Sequence, residues 1–282
     1  MNDCAFLVLC GDKRQEYIFY SLQNKRLPVL SYMLDSFPKS KVSLYDLTKL
    51  CNIFICPTPF TKDDIYLHST NKDSNKVLIN DFLEMLEPNS IIFGGGIPNW
   101  VIDYCKSNNI IIFDFLKIND FIKINCSDTA EGLIGNIITT TPFRIEHSKC
   151  LVCGYGNCGK EICSLLKLFN ADITVLESKN SLFHTTEPAP LNIYNSLEDL
   201  NLSVFDIIIN TIPSNIFTKK LSDTISKDCY IYDIASSPFG FSNEVFSSLN
   251  HAIRLPGIPG KICPLSSGYS MAQIIINSLE RM

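Results

Sequence analysis

The sequence predicts an α/β protein made of two doubly wound parallel-sheet domains, the C-terminal one a dinucleotide-binding Rossmann fold. Three observations predict it. Short β-rich apolar runs alternate with helix-length polar or amphipathic stretches along the chain. That alternation restarts at about residue 148, after a long helical pattern. The glycines of "CGYGNCG" (153–159) spell G-x-G-x-x-G between a strand pattern and a helix pattern.

A chain of 282 residues suits two domains, and 46% hydrophobic against 19% charged residues can fill two cores. The first domain is expected over 1–126, a linker helix over 127–147, the Rossmann domain over 148–265, and a last helix over 266–282 that packs back on the first domain. In the first domain, strands are expected at 4–11 ("CAFLVLCG"), 41–47 ("KVSLYDL"), 52–59 ("NIFICPTP"), 90–96 ("SIIFGGG") and 110–116 ("IIIFDFL"). Polar residues 61–77 read as a loop at the end of the third strand. Over 126–142, Asp128 and Glu131 fit a capping box, Leu133, Ile137 and Ile138 share a face, and Pro142 follows the end. The second half then gives strands at 149–153, 172–178, 205–213 and 229–237, a helix over 157–169, and a closing helix with Met271, Ile274, Ile275 and Leu279 at helical spacing.

Charge and hydropathy exclude several partner classes. A formal net charge of -5 gives no general attraction to nucleic acid or to an anionic membrane, so neither is expected as a partner. No apolar stretch approaches the ~18 residues of a membrane span. "MNDCAFLVLCGDKRQ" lacks the positive n-region of a signal peptide, and a cytoplasmic protein is expected. In that compartment its twelve cysteines are expected as reduced thiols.

Residues 148–163, "SKCLVCGYGNCGKEIC", admit a metal reading through Cys150, Cys153, Cys158 and Cys163, and a dinucleotide reading through Gly154, Gly156 and Gly159. Side chains three apart on a strand point to opposite faces, so Cys150 and Cys153 cannot share a metal. The dinucleotide reading has its context: a β-branched strand before the glycines, and Ile162, Leu165, Leu166 and Phe169 on one helix face after them. The loop Gly154, Tyr155, Gly156, Asn157, Cys158 and Gly159 is therefore the expected pyrophosphate site, and no metal is expected. Glu177, at the end of the next strand, suits the adenosine ribose hydroxyls and leans the cofactor from NADP toward NAD. Ser178 and Lys179 follow it and offer partners for a 2′-phosphate. Asn210, Thr211, Ile212 and Pro213 form a stiff strand-end turn suited to the nicotinamide ribose. Ala235 and Ser236, small residues at the next strand end, leave room for the ring.

Substrate contacts are expected at the end of the first strand, where Asp12, Lys13 and Arg14 follow Gly11, and in "RLPGIPGKICPLSSG" (254–268), where Arg254 and Lys261 precede a helix start at Ser266 and Ser267. "FGGGIPNW" (93–100) is a third glycine-rich strand end. His68, His147, His184 and His251 show no motif spacing and receive no catalytic role.

Taken in order and spacing, "GDKRQ", "TAEG" (129–132), "CGYGNCG", "NTIP", "DIASSP" and "LPGIPGKICP" followed by "SSG" resemble the dipicolinate synthase A-subunit family over nearly the whole chain. The resemblance implies NAD(P)-dependent oxidation of dihydrodipicolinate to dipicolinate, a branch from lysine biosynthesis, in the mother cell of a sporulating bacterium and with a flavoprotein-like B subunit. That reaction asks the protein mainly to orient the rings and neutralise two carboxylates, so Arg14 and Lys261 are expected as carboxylate holders and Asp12 as an orienting or proton-accepting group. The sequence departs from the family at Leu265-Ser266-Ser267, where a basic residue and Thr-Ala are usual, and at Ser237, where Arg is common. Two rival readings stay open: another two-domain amino-, imino- or hydroxy-acid dehydrogenase, and a cofactor-binding regulatory subunit without activity of its own. A homo-oligomer is also left open.

Overall fold

The computed structural model describes residues 5–38, 40–70, 76–177 and 192–282. Two compact units divide the chain: Met1–Asn125 with Pro259–Met282, and Cys126–Ile258.

The first unit holds a parallel sheet of β1 (Phe6–Leu9), β2 (Val29–Tyr32), β3 (Ile53–Ile55), β4 (Ile91–Gly94) and β5 (Ile111–Asp114), in the order β2-β1-β3-β4-β5. Alternate residues of β1 feed opposite cores, Leu7 and Leu9 on one face, Phe6 and Val8 on the other. This explains why β1 reads as an unbroken apolar run: both faces are covered. On the Phe6 face, Ile18 and Leu22 of α1 (Lys13–Asn24) share a core with Met271, Ala272 and Ile275 of the C-terminal helix, Pro264–Glu280. The chain order places a switch point between β1 and β3, the position at which open α/β sheets bind ligands.

The second unit holds β6 (Lys149–Cys153), β7 (Asp172–Leu176), β8 (Asn192–Tyr194), β9 (Ile207–Asn210), β10 (Tyr230–Asp233) and β11 (His251–Arg254). All pairs are parallel, in the order β11-β10-β9-β6-β7-β8. Counted from β6, this is the 3-2-1-4-5-6 order of a Rossmann sheet, with its switch point between β6 and β9. Cys150 and Val152 face one core, Leu151 and Cys153 the other. The α/β class with two parallel sheets is therefore as the sequence predicts.

Four local expectations need correction. Residues 41–47 are not a strand: Ser43 accepts from Asp46 N at 3.1 Å and starts α2 (Leu44–Leu50), which buries Leu44 and Leu47 at i, i+3. β2, β8 and β11 were not anticipated, and each is a sheet edge. After α3 (Ile79–Glu84) and α4 (Asn99–Ser107), the helix expected from residue 126, α5, begins at Asn119 and runs to Thr140, because Phe121 and Ile124 already give it a buried face; Asp128 and Glu131 lie in its interior. The C-terminal helix starts at Pro264 rather than Ser266, since proline suits the first helical position. No helix among the described residues is long and apolar enough to cross a membrane.

Candidate functional site

In the second unit, β6 ends in a loop whose three glycines have different physical tasks. Gly154 takes φ +95, and a Cβ on it would strike the Thr211 hydroxyl. A Cβ on Gly159 would fall on the Gly154 carbonyl oxygen, so this position brings the helix against the strand end. Gly156 is different. It is exposed, has an ordinary φ of -75, and a Cβ on it meets nothing within 4 Å. The fold does not need glycine there, but a ligand lying over the loop would.

Gly156 is also the N-cap of α6 (Asn157–Leu168), and no side chain caps that helix. Its first-turn N–H groups, with the positive end of the helix dipole, present the arrangement that binds pyrophosphate. These residues fit a dinucleotide.

Beside the loop, Glu177 accepts from Tyr155 N at 3.0 Å, and its own N–H donates to the Tyr194 carbonyl at 2.9 Å. The carboxylate expected at a ribose thus also pins the start of the glycine loop. Ser178 and Lys179 lie outside the described residues.

The β9 turn is held from below. Thr211 donates through N and Oγ1 to the Cys153 carbonyl, at 2.9 and 2.8 Å. Asn210 is fully buried, and its amide donates to Asp233 at 2.8 Å and to Ile212 O at 3.0 Å while accepting from Ile212 N at 3.2 Å. The side chain of Asn210 is spent inside the protein; what it can offer a ligand is the shape of the turn. Ile212 is half-buried and Pro213 exposed. At the end of β10, Ala235 is buried and Ser236 exposed.

Asp233, to which its sequence context assigns no role, organises this end of the sheet. Completely buried, it also accepts from Gly240 N at 3.1 Å and lies 3.8 Å from Arg254 Nε. Arg254, read from sequence as a loop cation, is committed to structure. It donates to Asn243 and to the Phe241 carbonyl, both at 2.6 Å, between the rings of Phe239 and Phe246.

In the first unit, the β1 and β3 ends meet at the switch point. Gln15 is buried and bridges the two strands, donating to the carbonyls of Leu9 at 3.0 Å and Ile55 at 2.9 Å. Asp12 caps α1 by accepting from Arg14 N at 3.0 Å, and it accepts from the same residue's Nε at 3.0 Å and Nη2 at 2.9 Å. Arg14 is buried and also donates to the Thr58 carbonyl at the end of β3. Asp114 of β5 accepts from Gly96 N at 2.9 Å and so fixes the glycine-rich end of β4. A Cβ on Gly260 would collide with the Asp12 carboxylate, which brings the short helix Ile258–Ile262 to the same cluster. Lys261 is exposed on that helix, and no described bond joins it to Asp12 or Arg14.

His68 belongs to this neighbourhood, although its spacing gave no sign of it. Burial, then Lys62, and more weakly Arg14, hold its imidazole below the ordinary 6.5 against the pull of Asp12 and Asp35. An imidazole neutral at neutral pH can accept a proton. Because its folded pKa is depressed, the unfolded chain binds more protons as pH falls below 6.5, and stability drops through that range toward the folded value. His68→Gln is expected to flatten this acid limb in thermal unfolding followed against pH. An imidazole resonance that titrates at or above 6.5 in the native protein would rule the effect out.

The chain has relatives among known proteins. Residues 5–116 match the family of the N-terminal domain of the dipicolinate synthase A subunit. The dipicolinate synthase A subunit of Bacillus subtilis (strain 168) is 23% identical over 284 residues, covering 98% of this chain and 95% of that protein. The crystal structure of the dipicolinate synthase A subunit from Bacillus halodurans superposes with a TM-score of 0.84 at 20% identity, over 99% of this chain and 98% of that one. More distantly, the NAD+-bound 3-phosphoglycerate dehydrogenase of Entamoeba histolytica shares the fold at a TM-score of 0.56 and 13% identity, covering 97% and 94% of the two chains. The chain has the fold of nicotinamide-dependent dehydrogenases and resembles the dipicolinate synthase A subunit.

Proposed function

We propose that this chain is the nicotinamide-binding subunit of a dipicolinate synthase, oxidising dihydrodipicolinate to dipicolinate together with a B subunit in a sporulating bacterium. The observation that carries the nucleotide half of this reading is the open Gly156 at the uncapped start of α6. The substrate half rests on the resemblance across 98% of the chain.

In this reading the Gly154–Gly159 loop and the first-turn N–H groups of α6 hold the pyrophosphate, and Glu177 takes the adenosine ribose hydroxyls while fixing Tyr155. A carboxylate there would repel a 2′-phosphate, which favours NAD. The Asn210–Pro213 turn and the small residues Ala235 and Ser236 leave space for a flat ring. The bound nicotinamide supplies the hydride acceptor. The rest is orientation and charge.

A dicarboxylate needs cations: in this reading Arg14 is the fixed one, and Lys261, exposed on the helix that Gly260 brings against Asp12, is the second. Asp12 already takes Nε and Nη2 of Arg14, so a substrate carboxylate engages the guanidinium through Nη1 or by displacing Asp12. Displacement would free Asp12 to receive the ring proton, which ties proton acceptance to substrate arrival. Positioning of this kind is a large part of what an enzyme contributes when gained aromaticity drives the reaction.

The test follows nicotinamide reduction together with dipicolinate absorbance, with the product of dihydrodipicolinate synthase as substrate, with and without the B subunit. Coupled growth of both signals is expected. Nucleotide binding without turnover in either mixture would overturn the substrate assignment and favour another acid or a regulatory role.

A further inference from the structure

Cys126, buried on the helix Asn119–Thr140, places its sulfur 3.0 Å from that of Cys158, which lies in the first turn of α6, one residue before Gly159. This is about 1 Å beyond the ~2.05 Å of a disulfide bond. Cys158 is half-exposed, and its neighbours Gly156 and Asn157 are exposed, so a small reagent can reach it. We propose that Cys126 and Cys158 are a reversible dithiol–disulfide pair, oxidised by low-molecular-weight disulfides, whose closure weakens dinucleotide binding at the adjacent loop.

The chemistry divides between the two sulfurs. The hydrogen bond they share holds the Cys158 thiol below its usual range, against burial and the charge of Glu161, and pushes the Cys126 thiol up. Burial pushes Cys10, Cys150, Cys163 and Cys229 to about 12, which leaves them inert. Cys158, half-exposed where Cys126 is buried, is the attacking thiolate and Cys126 the resolving group. The Cys158 thiolate attacks a disulfide R–S–S–R, forms a mixed disulfide and expels one RS⁻. Cys126 then loses its proton, attacks the Cys158 sulfur and expels the second RS⁻. The two protons go to the leaving thiolates, so the dithiol and R–S–S–R become the protein disulfide and two RSH.

Closure must draw Cys158 toward Cys126, and with it the first turn whose N–H groups would meet the pyrophosphate. The coupling rests on the dinucleotide reading of that loop; the sulfur chemistry does not. By reciprocity, a tenfold loss of nucleotide affinity on oxidation requires bound nucleotide to disfavour oxidation of the pair by the same factor, about 30 mV in its reduction potential.

The experiment equilibrates the full chain with glutathione disulfide and glutathione over a range of ratios. Peptide mass spectrometry reads the cross-link, and calorimetry reads NAD and NADP affinity. Expected are loss of two thiols, a peptide joining Cys126 to Cys158, and affinity at least tenfold weaker, restored by dithiothreitol. Cys126→Ser, with Cys126→Ala as the second variant against a packing artefact, should stop at a glutathione adduct on Cys158. A wild-type chain that stops at the same adduct, or does not react, overturns the pair. A complete cross-link with unchanged affinity overturns the coupling. A reduced chain that binds neither nucleotide overturns the loop's reading, and the coupling with it, while the cross-link is still read by mass.

Discussion

Gly156→Val is expected to weaken dinucleotide binding by a hundredfold or more while leaving the fold and its stability nearly unchanged. The two halves of this expectation come from the same geometry. Gly156 has φ -75, which valine adopts without strain, and a Cβ there meets no atom within 4 Å. The branched side chain therefore extends into space that the protein leaves open. If a pyrophosphate occupies that space, it loses its approach to the α6 N–H groups. Charge-assisted hydrogen bonds are worth about 1.5–3 kcal/mol each, so losing two costs roughly 3 kcal/mol, about a hundredfold in Kd. Gly159→Ala serves as the contrast, because its Cβ would fall on the Gly154 carbonyl and must disturb the fold itself. Calorimetric titration with NAD and NADP, beside thermal unfolding, checks both. Wild-type affinity in Gly156→Val would remove the loop from the nucleotide site.

What could be seen in the sequence depended on how completely a segment is buried. Central strands such as Phe6–Leu9 and Ile207–Asn210 are covered on both faces, so their apolar runs are continuous and their places were predicted. The strands that went unseen, Val29–Tyr32, Asn192–Tyr194 and His251–Arg254, are edges, half-buried or exposed, with Ser31, Asn192 and Arg254 breaking the run. Ser43 and Asp46 carry a capping signal for Leu44–Leu50, hidden in the sequence by the strand-like alternation of "KVSLYDL". The tight turn at Gly154 and the close helix contact at Gly159 were legible because glycine spacing is a local requirement. Cys126 and Cys158, 32 positions apart, meet only through packing of two helices, and Asp233 reads as an ordinary strand residue until its partners surround it. His68 likewise joins Asp12 and Arg14 through the fold, not through spacing.

Asp233→Ala is expected to destabilise the second unit by about 3 kcal/mol, since removing one member of a buried pair costs roughly 3–5 kcal/mol. The lower end applies because Arg254, one-fifth exposed at its side chain, keeps Asn243 and the Phe241 carbonyl. Gly240 N, in contrast, is left with no acceptor among the described bonds, and the Asn210 amide keeps only the Ile212 carbonyl. At roughly 2–4 °C per kcal/mol for a domain of this size, the melting transition should fall by about 10 °C. Asp233→Asn should cost less: its oxygen can still accept from Asn210, but its NH2 faces the Gly240 N–H as donor against donor. Nucleotide affinity should fall in the same order, because the Asn210–Pro213 turn is shaped by the bond that both variants weaken. A melting point within about 2 °C of wild type for Asp233→Ala, less than one kcal/mol on the same scale, would show that the buried carboxylate does not hold the turn. Thr211, through its two bonds to the Cys153 carbonyl, would then be the group that does.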